Sequence, residues 1–129
     1  MNYWTKMTNQ DKKLLFKEIC ARMPYGVLVQ VDGKTYNVIG VDDNTMKVRC
    51  VRLGLDSDIV MTFDVEDTKL MLRPMSEMTA DEKDHYNKLK ALQIILERAE
   101  PWVLVDFLHK KSLDYRGLID RSLAVHCLL

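Results

Sequence analysis

The chain has 129 residues carrying 19 basic and 19 acidic side chains, a length that fits one domain able to bury about two thirds of its unfolded surface without a covalent staple. Charges that cancel provide no global field toward nucleic acid or an anionic membrane, so any such contact must come from a local patch. Cys20, Cys50 and Cys127 are odd in number and widely spaced; they read as reduced thiols of a cytoplasmic protein, and the short apolar runs exclude a signal peptide and a membrane span.

Residues 8–23 form the first predicted element. Thr8 caps a helix with Asp11 at the third position, and Leu15, Phe16, Ile19, Cys20 and Met23 make one apolar stripe that Pro24 and Gly26 end. Residues 26–73 follow as a β-meander. Asp32-Gly33 sits between two β-rich runs, the signal of a two-residue type I′ hairpin. Val31 then faces Lys34, Val29 faces Tyr36 and Val27 faces Val38. A three-residue loop of Asp42, Asp43 and Asn44, with Asn44 left-handed, would pair Gly40 with Met46, Val38 with Val48 and Tyr36 with Cys50. Both registers place Val27, Val29, Val31, Tyr36, Val38, Met46, Val48 and Cys50 on the buried side.

After a loop at residues 53–58, Ile59, Met61, Phe63 and Val65 alternate with Val60, Thr62 and Asp64 as a half-buried strand. Residues 69–73 return as a short fifth strand that Pro74 ends, its register undecided. Residues 79–111 are a helical pair. Thr79-Ala80-Asp81-Glu82 is a capping box ahead of a stripe of Leu89, Leu92, Ile95, Leu96 and Ala99. Pro101 opens a shorter helix bearing Trp102, Val105, Phe107 and Leu108, which ends near Lys110 and Lys111. In the tail, residues 112–129, Asp114-Tyr115-Arg116-Gly117 reads as a turn, and the apolar stretch from Leu118 to Leu129 needs a surface to lie on. The expected architecture is α+β: a helix, a strongly bent five-stranded antiparallel sheet or small barrel of SH3 or Sm-like type, two C-terminal helices and an apolar tail.

The runs ICARMPYGV (Ile19 to Val27), LRPMSEMT (Leu72 to Thr79) and LDYRGLID (Leu113 to Asp120) closely resemble runs in a family of uncharacterised small proteins encoded by anaerobic gut bacteria and their phages. The resemblance runs from about Met7 onward, which implies that Met1 to Lys6 is an extension or a start-site choice. The ending His126-Cys127-Leu128-Leu129 departs from that family. Gly33, Gly40, Val41, Asp42 and Met46 also resemble the first motif of Sm-like RNA-binding barrels, but Lys47 stands where that family offers its base-contacting asparagine, which weakens the implied RNA binding.

Candidate chemistry is sparse. His85, His109 and His126 lie far apart and form no ligand-spaced pair, so neither a metal nor a cofactor is expected. Asp106 and His109 share a helix face at a spacing that would let a carboxylate orient an imidazole, yet Ser112 and Cys127 are merely available as nucleophiles. The acidic residues Asp56, Asp58, Asp64, Glu66 and Asp67 lack the glycine and terminal glutamate of a calcium loop and read as solvated.

Two surfaces remain. Lys47 and Arg49 share the displayed sheet face with Gln30, Thr35 and Asn37, and with Arg52 they offer a nucleic-acid contact that Thr62 and Asp64 could neutralise from the next strand. The favoured surface lies on the last helices and tail, because the apolar residues around Trp102 and Phe107 exceed one narrow stripe. The expected protein is therefore a non-enzymatic binding or regulatory protein, serving a phage or mobile element by the resemblance. It would meet a protein partner or a second copy through Trp102, Phe107, Tyr115 and Arg116.

Overall fold

The computed structural model describes residues 7–54, 59–96 and 101–127. Helix α1 spans Asn9–Arg22, and the Thr8 hydroxyl accepts the Asp11 N–H at 3.0 Å as its cap. A 3-10 turn, Met23–Tyr25, leads into β1 (Leu28–Val31), β2 (Lys34–Asp42), β3 (Lys47–Arg52) and β4 (Val60–Asp64). A second 3-10 turn at Val65–Asp67 precedes β5 (Lys69–Pro74). Helices α2 (Ala80–Leu96) and α3 (Pro101–Lys110) follow, and the tail adds β6 (Leu113–Asp114) and β7 (Ala124–His126).

The first hairpin has the expected register, with Val31 opposite Lys34 and Val29 opposite Tyr36. Val27 O accepts the Val38 N–H at 2.9 Å, continuing the pairing. Asp32 and Gly33 take φ of 50° and 77°, the left-handed pair that a type I′ turn requires.

The second hairpin corrects the sequence reading. Asp42 pairs with Lys47 across the four residues Asp43 to Met46, and the positive φ falls on Met46 at 53°, not on Asn44. The Asp42 carboxylate accepts the Asn44 N–H at 2.9 Å, a local turn that shapes the loop differently. Tyr36 therefore faces Arg52 and Val38 faces Cys50, two residues away from the expected partners. A displacement by two preserves the faces, so the inward set survives: Val27, Val29, Val31, Tyr36, Val38, Val48 and Cys50 are buried, with Met46 half-buried against them. Between Val38 and Gly40 the register slips. Ile39 is the extra residue of a bulge, and beyond it Gly40 joins the displayed face while Val41 turns inward.

The sheet is mixed and open, where an antiparallel five-stranded sheet or barrel was expected. Its order is β4-β3-β2-β1-β5-β6, with β7 also on β5. β5 pairs antiparallel with β1, setting Val29 opposite Leu70 and Gln30 opposite Lys69, a register the sequence left undecided. No β4–β5 ladder closes it among the described residues.

The tail finds its surface by becoming strands. β7 runs parallel to β5, with Leu70 opposite Ala124 and Leu72 opposite His126, and β6 pairs Leu113 and Asp114 with Arg73 and Pro74. One core lies between α1 and the sheet and is completed by Leu118, Leu123 and Ala124 from the tail. A second, smaller core of Phe107, Leu108 and Leu113 packs with Met75, Met78, Tyr86 and Leu89 under α2 and α3.

In β4 only Phe63 is half-buried, while Ile59, Val60 and Met61 are exposed, so this strand is less covered than its alternation implied. The side chains of Leu92, Ile95 and Leu96, and Ala99, lie outside the described residues. The three cysteines are free, and burial pushes the Cys50 thiol up to about 11. Among the described residues no helix is long and apolar enough to cross a membrane.

Candidate functional site

On α1, residues 15, 18, 19 and 22 fall on one face, since side chains three, four and seven apart line up along a helix. Leu15 and Ile19 belong to the core, and the same spacing carries Glu18 and Arg22 inside, 1% and 2% exposed. A buried charge must be paired, and the partners come from the tail. β6 brings the Leu113 carbonyl to Arg22, whose Nη2 donates to it at 3.0 Å and lies 3.5 Å from Glu18 Oε1. Two residues past β6, Arg116 reaches back with Nε 3.0 Å from Glu18 Oε2. One carboxylate thus bridges two guanidinium groups.

Tyr115 lies against both cations, its ring centroid 5.5 Å from Arg22 Cζ and 5.1 Å from Arg116 Cζ, distances at which a ring face attracts a cation. Its hydroxyl shares a 2.9 Å hydrogen bond with Nε2 of the buried His109, on the last turn of α3. The exposed Tyr25 ring stands 6.3 Å from the His109 ring. Burial, and then the neighbouring Arg22, hold the His109 imidazole below its ordinary pKa. Burial also lowers Arg22, with Glu18 opposing the shift. For Arg116 burial acts downward, but Glu18 and Tyr115 together raise it.

Asp114 serves the backbone, its two carboxylate oxygens accepting the N–H groups of Leu118 and Ile119 at 2.7 and 2.9 Å. That fixes the turn presenting Tyr115 and Arg116. Arg22 Nε and Nη1 are buried without a partner among the described residues.

The runs 19–27, 72–79 and 113–120 meet here. The first supplies Arg22 and Tyr25, and the third supplies Leu113 to Arg116. The second supplies Arg73, which forks onto Glu82 at 2.7 and 2.9 Å and donates to the carbonyls of Glu77 and Lys111. Glu82 in turn accepts the Thr79 N–H at 2.9 Å and donates its own N–H to Thr79 Oγ1 at 3.1 Å, the expected capping box. The Arg73 hydrogen bonds bring the Glu82 carboxyl down to about 2.

Of the anticipated anchors, Tyr115 and Arg116 stand together at this surface, half-buried and exposed. Phe107 does not join them. It is 5% exposed, packed edge-on to His85 with ring centroids 4.8 Å apart, because the second core draws it inward. Trp102 lies on α3, and its side chain falls outside the described residues. Glu18, Arg22 and Tyr25 were missed, although the spacing of Glu18 and Arg22 from Leu15 was the available signal. His109 turns to Tyr115, not to Asp106, for its hydrogen bond.

The sheet-face patch is divided. Lys47 and Arg49 are exposed as expected and Asn37 is half-buried, but Lys47 Nζ lies 3.9 Å from Asp64 Oδ1 on β4. The Arg49 guanidinium folds over Gly40, where a Cβ would meet its Nη2 at 2.6 Å. Arg52 stands opposite the buried Tyr36, on the other face.

Among the acids, Glu66 pairs with Lys12 at 3.2 Å, while Asp56 and Asp58 lie outside the described residues. His126 Nε2 lies 2.6 Å from Glu77 Oε2, so this residue, expected in a solvated tail, ties β7 to the turn after β5. No group of three or more His, Cys, Asp or Glu that could hold a metal occurs among the described residues. In comparisons with family models, curated proteins and solved structures, nothing matches the chain.

Proposed function

We propose that this protein is a non-enzymatic binding or regulatory protein that recognises a protein partner at the junction of α1, the end of α3 and the tail. We assign it to the cytoplasm by its widely spaced free cysteines, and to the service of a phage or mobile element by the family resemblance. The observation that carries the reading is the surface trio Tyr25, Tyr115 and Arg116, held by the buried Glu18 and His109 beneath it. Tyrosine and arginine are the side chains most enriched at binding hot spots, and anchors fixed in place lose little entropy on association. The alternative, nucleic-acid contact through Asn37, Lys47, Arg49 and Arg52, is less well supported, since Asp64 takes up Lys47 and Arg52 faces the other way.

Affinity capture from the native host, with the whole chain and with Arg116→Ala, tests the reading. The expected result is one stoichiometric protein that binds the wild type and is lost with the variant. Recovery of RNA alone, on a bait whose binding falls steeply with salt, would overturn it in favour of the sheet face.

A further inference from the structure

A strand at the end of a sheet exposes unpaired N–H and C=O groups, and this sheet treats its two ends differently. Beyond β5 the edge is the three-residue tail strand β7, whereas the edge strand β4 has five residues and pairs with β3 alone among the described residues. Val65 N–H turns back to Met46 O at 3.0 Å. Alternation along the strand then aims the N–H and C=O groups of Val60, Thr62 and Asp64 away from β3. Edge strands are ordinarily guarded by lysine, proline, a bulge or an inward charge. Residues 59–63 read Ile-Val-Met-Thr-Phe with none of these, and Ile59 and Val60 are 65% and 51% exposed.

We propose that β4 pairs antiparallel with β4 of a second copy of this chain, about a two-fold axis through Thr62, joining two sheets into one. A strand edge is complementary to itself under a two-fold axis, so a copy needs no second matching surface. The register that overlaps all five residues of β4 sets Thr62 on Thr62, Met61 on Phe63 and Val60 on Asp64. No acid faces an acid, a threonine pair forms at the axis, and a methionine meets an aromatic ring. With 19 charges of each sign, two copies carry no net repulsion. The two-fold pairing uses the β4 edge of both copies, so no further β4 edge is left open and the assembly closes at two. This inference is independent of the surface around Tyr115 and Arg116.

Sedimentation equilibrium on the whole chain from micromolar to millimolar concentration tests it. The mass should double reversibly and change little with salt, and amide hydrogen exchange at Val60, Thr62 and Asp64 should slow as concentration rises. Val60→Lys alters a side chain that is exposed in the monomer, and Thr62→Pro deletes an N–H that β3 does not use. Each should weaken the association by about tenfold or more, and an unchanged thermal melt for Val60→Lys shows that the fold persists. A single mass at every concentration would overturn the proposal. So would a dimer equally tight in Val60→Lys whose β4 amides exchange at an unchanged rate.

Discussion

Glu18 is the residue on which the candidate site turns, because it is the carboxylate that contacts both Arg22 and Arg116. Removing one member of a buried charged set leaves the others uncompensated, at a cost of about 3–5 kcal/mol. Glu18→Gln should therefore destabilise the protein by roughly that amount in urea denaturation. The double variant Glu18→Leu, Arg22→Met should be more stable than Glu18→Gln, because it leaves no stranded charge at Arg22. His109 adds a pH dependence. Burial and then Arg22 lower its folded pKa, so protons bind the unfolded chain more tightly. Stability is then full above the unfolded value of about 6.5 and falls as pH drops toward the folded value. Urea melts across that window should show the decline in the wild type and a smaller one in His109→Gln. At this scale the sequence was readable where one side chain decides, as at the Thr8 cap and the Asp32-Gly33 turn. It was opaque where a charge is buried only because a distant segment arrives to pair with it, as Arg116 does with Glu18.

At the level of elements, the hairpins show why faces are easier to read than registers. Side-chain alternation has period two, so an error of two residues leaves every valine inside, and the displaced partners of Tyr36 and Val38 did no harm to the core. The bulge at Ile39 carries no sequence mark, since the slip arises from a loop held by Asp42 and Asn44. The two glycines of this region should respond differently to alanine. Gly33 holds φ at 77°, and Gly33→Ala should cost about 1 kcal/mol. Gly40→Ala meets only the far end of the Arg49 side chain, which can swing aside. Its stability should stay within about 0.5 kcal/mol of wild type by the same urea denaturation. The α2 cap was legible in full, and Thr79→Ala should lower the midpoint by an amount equivalent to about 1 kcal/mol.

In the whole molecule, the tail adds strands to β5 and completes the core against α1. It supplies two strands, the four core side chains Leu113, Leu118, Leu123 and Ala124, and the Tyr115–Arg116 surface. The α+β class and the order of helix, meander and helical pair could be read from local pattern. Parallel pairing of β6 and β7 with β5 could not, because a short apolar tail looks alike whether it forms a strand or a loop. The tail folds back on α1 and seats Arg116 on Glu18, and a double-mutant cycle on that pair measures the contact. With Glu18→Gln and Arg116→Met measured singly and together by equilibrium unfolding, the expected coupling is about 1 kcal/mol, the guanidinium being half in solvent. Single effects that add to within about 0.3 kcal/mol would contradict it.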